Sequence, residues 1–228
     1  RIAEYVRTLI HVDQQFTYPG AVSTGDAVVV TGRVDRVRER TGTFFVTFVA
    51  EATVGERVVM GSRSTFLMSD QAAAAPGGDE GEPAVGDRAP SDEIEFRPLM
   101  GVGDLAPVAK SVSRSDLVKY AAASADFNPL HWDHDAARAA GLDGVVVHGL
   151  LMHAWLAQYA ASLTQNEAPV ATIKTRFRNA LRPAVAATVS GAVREIAADG
   201  RTAEIALALS SAGSDIVTAT ATIRIGEG

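Results

Sequence analysis

An acid, an amide and an imidazole stand within six residues of one another in the segment Ala-Asp126-Phe-Asn128-Pro129-Leu-His131. Pro129 blocks a preceding helix from continuing and biases Asn128 away from helical backbone. The three side chains therefore sit on a rigid loop. A carboxylate and an imidazole side by side can take a proton and return one, because burial and mutual charge tune both groups toward neutrality. Adding water across a double bond conjugated to a thioester needs a proton taken from water and a proton given to the α-carbon. Dehydration needs the reverse. Asn128 is suited to orient the backbone or the water. The spacing alone leaves a blander alternative open, in which Asp126 caps a helix and His131 is a satisfied loop residue.

A second group follows at Val147-His148-Gly149-Leu150, which opens the apolar run GLLMHAWLAQYAASL at 149–163. A helix N-terminus offers unpaired N–H groups and the positive end of its dipole. With no side chain at Gly149, a ligand can approach its N–H closely, and a thioester carbonyl there would be stabilised as negative charge develops on its oxygen. The competing reading is that Gly149 only permits tight helix–sheet packing. His148 is read as a packing residue near the site that helps bind the substrate or its carrier, and His153 as a satisfied core histidine. His131 and His134 are three residues apart and could ligate an ion together, but no third ligand is evident and no metal is expected.

These groups need elements to hold them. Residues 115–125 read as a helix started by Ser113 or Ser115, and residues 133–140 as a short helix with acid in its first turn. The run 149–163 is apolar on every face, so it must be buried on every face. A curved antiparallel sheet would provide that burial. The chain supplies strands in two similar sets. After Phe16 and after Phe177 come a strand, a turn (38–42 and 197–200), a second strand, a turn with Gly55 or Gly213, and a last strand. Residues 71–93 are rich in Ala, Gly, Pro and acid and read as a linker. The chain thus divides into 1–70, a linker at 71–93, and 94–228. The expected class is α+β, a double hotdog, with two antiparallel meanders in one curved sheet around a central helix at 149–163.

Composition narrows the function classes. The chain has 228 residues, of which 47% are hydrophobic, a net charge of −6 and no cysteine. Thiolate nucleophiles, disulfides and thiolate metal sites are excluded. Acidity argues against nucleic acid or an anionic membrane as partner. No apolar stretch reaches the ~20 residues that span a bilayer. The absence of cysteine fits a cytoplasmic location.

The stretch SADFNPLHWDHDAARAAGLDGVVVHGLLMHAWL resembles the signature of the MaoC-like, hydratase 2 family of (R)-specific enoyl hydratases and 3-hydroxyacyl dehydratases. Residues from HVDQQFTYPGAVSTGD to RSTFLM are similar to the non-catalytic half of two-part relatives. The resemblance implies reversible hydration and dehydration of (3R)-hydroxyacyl and trans-2-enoyl thioesters. Asp126 and His131 match the acid–base pair acting through one water, Asn128 the orienting amide, and Gly149 the backbone oxyanion donor. No cofactor is implied, since the substrate is carried on coenzyme A or on the phosphopantetheine of an acyl carrier protein. The chain departs from the pattern at Ala125, where Gly is usual, at Ala157, where some hydratases have Ser, and at Ala180 and Ala184, where Pro and Gly are common.

Subtracting the repeat offset puts the first half's own central helix before residue 1, so that helix is expected to be missing or reduced. Arg1 is read as interior to a longer parent. In relatives a reduced helix leaves room for a bulky tail, which points to medium or long acyl groups. Lys174, Arg176 and Arg178 alternate with Thr175 and Phe177, so they are expected on one strand face, either to meet the phosphates of the carrier or as a solvated outer face. Two other functions remain open from the residues: a hotdog thioesterase and a non-catalytic acyl-binding subunit. A monomer and a homodimer are both compatible with the chain.

Overall fold

The computed structural model describes residues 8–69 and 90–225. Residues 1–7 and 71–89 of the expected linker lie outside them. Nine strands form one antiparallel sheet in the order β2-β3-β4-β1-β6-β9-β8-β7-β5. The N-terminal set is β1 (Thr8–Thr17), β2 (Val28–Arg40), β3 (Thr43–Val54) and β4 (Arg57–Ser69). The C-terminal set is β5 (Gly103–Lys110), β6 (Val170–Phe177), β7 (Ala187–Ile196), β8 (Thr202–Ser211) and β9 (Ser214–Arg224). The order is symmetric about the β1–β6 pair: β4, β3 and β2 follow on one side, and β9, β8 and β7 on the other. The two similar stretches of sequence are thus the two wings of one sheet.

Strand β5 is absent from the sequence-based expectation. Its sequence, GDLAPVAK, reads poorly as a strand because of Pro107. Pairing with β7 breaks between Leu105 and Val108, and β5 lies at the sheet edge. A residue without an N–H is tolerated at such an irregular edge.

Three helices precede β6. Helix α1 (Arg114–Ser124) starts at Ser113, whose hydroxyl and Asp116 form a reciprocal capping box. Helix α2 (His134–Ala139) is capped by Asp133, which accepts from the N–H groups of Asp135 and Ala136. Helix α3 (Gly149–Ala161) buries Met152, His153, Trp155, Leu156, Tyr159 and Ala160. It packs on β6, β7, β8 and β9. Tyr159 is wholly buried and its hydroxyl donates to the Ala106 carbonyl at 2.6 Å. Gly191 of β7 makes room for that ring: a Cβ there would stand 2.9 Å from it. Burying each large apolar side chain of α3 contributes roughly 1.5–3 kcal/mol. This is the hotdog arrangement.

The N-terminal wing differs. Among the described residues 8–69 there is no helix, and β2 is exposed along its whole length. Val28, Val30, Val34, Val37 and Phe44 are open to solvent. The position expected for the first-half helix, before residue 1, lies outside the described residues. No helix of the described residues is long and apolar enough to cross a membrane.

Candidate active site

The loop between α1 and α2 is built by its own side chains. Helix α1 ends at Ala125, whose φ of 56° lies in the left-handed region. That is the position where the family pattern has Gly, and Ala there carries strain of ~1 kcal/mol or more. The reversal turns Asp126 away from the helix axis. Asp126 Oδ1 accepts from the Asn128 N–H at 3.3 Å, and Asn128 Oδ1 accepts from the Leu130 N–H at 3.3 Å. Asn128 therefore orients backbone, and caps a single 3-10 turn at Pro129–His131.

The segment leading into α3 is pinned to the same loop. Val146 N–H donates to the Leu130 carbonyl at 3.1 Å, and Val147 N–H to the Leu181 carbonyl at 2.8 Å. His131 Nδ1 is 2.8 Å from the Val146 carbonyl. A carbonyl only accepts, so Nδ1 carries the proton and Nε2 of the neutral ring is a free base. That Nε2 lies 4.0 Å from Asp126 Oδ2. Burial pulls the His131 pKa below its ordinary value, while the Val146 bond and the Asp126 charge pull it back.

His148 is fully buried and holds the other side of the loop. Its Nε2 donates to the Asp126 carbonyl at 3.2 Å, and its ring stacks on His131 with centroids 3.8 Å apart and planes 24° apart. Tyr120 of α1 covers it at 4.8 Å. Burial, reinforced by the neighbouring His131, lowers the His148 pKa to about 4, so the ring is neutral. As N-cap of α3, His148 makes no side-chain capping bond. The first N–H groups of the helix, starting with Gly149, have no intrahelical partner. Gly149 also serves packing: a Cβ there would meet the Phe177 ring at 3.3 Å. The packing reading of this glycine therefore holds.

Asp126, His131, Asn128 and Gly149 line one cavity of about 410 Å³. Its position follows from the sheet. Strand β1 pairs with β6 only from Asp13 to Thr17, while Thr8–His11 pair with β4 alone. The two wings part there, and the slit is lined by Leu9, Ile10, His11 and Phe66 on one side and Phe177–Ala180 on the other.

The expected basic stripe lies on the outer face of the sheet. Inward positions on β6 are taken by Ile173, Thr175 and Phe177, so Lys174 and Arg176 point to the opposite face of the sheet. There they line a separate cleft, and Arg176 pairs with Asp13 at 3.0 Å. Arg178 falls beyond the strand end, lines the Asp126 cavity, and donates from Nε to Thr218. Thr218 lines that same outer cleft, so the Arg178 guanidinium stays on the face of Lys174 and Arg176, and of the three only Arg178 also borders the Asp126 cavity.

The metal question also changes. His134 Nδ1 accepts from the Val145 N–H at 3.4 Å rather than joining His131. Asp126, His131 and His148 instead bring three ligand atoms within 4.8 Å of one another. Imidazole lone pairs lie in the ring plane, and these two rings are stacked nearly parallel. Their nitrogens do not converge on one ion, so the trio fits proton chemistry better than tetrahedral coordination.

One cavity residue, His11, is missing from the sequence reading. On its own strand it is a lone imidazole among Leu, Ile and Val, with no motif around it. His153, by contrast, is satisfied in the core through Thr175 Oγ1 at 2.8 Å.

Residues 101–209 match the family described as MaoC like domain. That span contains every residue of the 126–149 constellation. This part of the chain is similar to MaoC-like domains. Two curated relatives are similar to the chain. One is the 3-hydroxyacyl-thioester dehydratase X of Mycobacterium tuberculosis, 27% identical over 77% of this chain and 53% of its own length. The other is the mitochondrial 3-hydroxyacyl-[acyl-carrier-protein] dehydratase of Arabidopsis thaliana, 41% identical over 26% of this chain and 36% of its own. The chain thus spans about half or less of these relatives. A solved MaoC-like dehydratase superposes with TM-score 0.80 at 20% identity, over 97% of this chain and 77% of that one. Its likeness extends past residues 101–209 into the N-terminal wing and shows the shared hotdog fold.

Proposed function

We propose that the chain catalyses reversible hydration of trans-2-enoyl thioesters to (3R)-3-hydroxyacyl thioesters. The observation that carries this is His131 Nε2, a free base held 4.0 Å from Asp126 Oδ2, in the same cavity as the uncapped start of α3. The gap is too long for a direct hydrogen bond and suits one water held by both groups.

In the hydration direction that water donates to His131 Nε2 as its oxygen bonds to the β-carbon. The electron pair moves to the thioester oxygen, where the Gly149 N–H and the helix dipole stabilise it. The Asp126 carboxylate stabilises the imidazolium. The proton then passes from His131 to the α-carbon, the enolate collapses to the thioester, and both side chains are restored. Dehydration runs the same steps backwards. His148 holds the Asp126 backbone and stays uncharged, so it does not compete for the proton.

The names of the similar proteins and the family match support this reaction and its thioester substrates. A cavity walled partly by Leu9, Ile10 and Phe66 of the N-terminal wing supports medium or long acyl groups. Arg178 at its edge suits a phosphate of coenzyme A or phosphopantetheine. A cytoplasmic setting is supported by the lack of cysteine. The test is loss of enoyl-thioester absorbance with crotonyl- and longer enoyl-CoA, with free thiol followed in parallel. Hydration without thiol release supports the proposal; thiol release without hydration makes the protein a thioesterase.

A further inference from the structure

His11 belongs to the wing that the proton chemistry does not use, yet it lines the same cavity as Asp126 and Gly149. Its ring stacks on Phe66 at 4.4 Å and leans on Phe177 at 4.8 Å, one aromatic from each wing. A β-bulge puts it there. Pairing with β4 steps from His11↔Phe66 to Asp13↔Thr65, which leaves Val12 as an extra residue. In an uninterrupted strand residues 11 and 13 would share a face. The bulge instead sends Asp13 outward to Arg176 and His11 inward to the cavity.

The His11 Nε2 is buried and has no hydrogen-bond partner among the described residues. Buried polar atoms are rarely left so, and an apolar residue would suit a purely packing role better. Burial lowers the pKa of this ring to about 4, against weaker upward pulls from the Asp13 backbone, Gln14 and Asp126. It is therefore neutral, with one N–H and one lone pair, which suits a hydroxyl or carbonyl oxygen.

We propose that His11 is a substrate-positioning residue, its imidazole hydrogen-bonding an oxygen of the bound acyl group. This rests on the thioester reading above. The oxygen is either one that every substrate carries, the thioester carbonyl or the 3-hydroxyl, or one further along the acyl chain.

The experiment measures kcat and KM of the full chain and its His11→Phe, His11→Leu and His11→Gln variants. The substrates are trans-2-octenoyl-CoA and its counterpart with a hydroxyl at C5. The two apolar variants are expected to lose about 10-fold or more in kcat/KM, mainly through KM, with melting temperature kept or raised. The Gln variant is expected to recover part of the loss. A loss on both substrates assigns the common oxygen; a loss on the hydroxylated one alone assigns the chain oxygen. Apolar variants as active as wild type, or a loss that Gln does not relieve, overturn the inference and leave His11 as a wall of the cavity. Wild type inert toward both substrates removes the hydration reading itself, and this inference with it.

Discussion

The two wings of the sheet use the same meander and reach opposite outcomes. In the C-terminal wing, β8 alternates buried and half-buried residues against α3. In the N-terminal wing, β2 is exposed from end to end, although Val28, Val30 and Val34 alternate as a buried strand would. A repeated strand pattern therefore sets the sheet but does not make a site. The site needs what lies between β5 and β6: a helix with an open start, and a loop tied to it through Val146 and His148.

The largest break in this comparison comes from the acid–base pair. Asp126→Asn is expected to reduce hydration by ~10²-fold or more, because the charge that stabilises the His131 imidazolium and supports its proton transfer is lost, with an unchanged melting curve. Full activity in that variant would end the assignment. Second, a chelator such as EDTA is expected to leave activity intact, since the stacked His131 and His148 rings do not converge on an ion; loss restored by added zinc would contradict this. Third, Leu156→Ala in α3 is expected to cost about 2–5 kcal/mol by denaturant titration, and Val30→Ala on β2 about 0.5 kcal/mol or less. Equal costs would mean that β2 is covered in solution.

Acid sharpens the same contrast. His11, His148 and His153 have pKa values lowered to about 4 in the fold, each by burial first. Unfolded, they take up protons near 6.5. Between these values the unfolded chain binds more protons, so this contribution is fully present above 6.5 and is lost as pH falls toward 4. The melting temperature is expected to drop over that window, and replacing His153 by Gln to soften the drop. The smallest effect belongs to Ala125→Gly. It relieves the positive φ but frees the unfolded chain, and a stabilisation of ~1 kcal/mol or less is expected.

Much of this was legible in the sequence, for physical reasons. The run 149–163 had no polar face and had to be wrapped. Ser113, Asp133 and Pro129 marked where helices begin or stop. Asp126, His131 and Gly149 were readable because one loop and one helix start hold them, within a short stretch of chain. Ala125 and Ala184 stand where the family pattern has Gly, and both have positive φ, 56° and 65°. What was hidden depends on non-local pairing. Strand β5 was masked by Pro107, and His11 reaches the cavity only because of a bulge.

The parting of β1 from β6 has a mechanical corollary. The paired stretch that joins the wings is short, and the cavity opens just where it ends. Under the proposed function, a thioester bound there would act as a rivet, sharing surface with Leu9 and Phe66 on one flank and Phe177 on the other. Whatever pries the flanks apart must loosen the ligand by the same free energy with which the ligand clamps them.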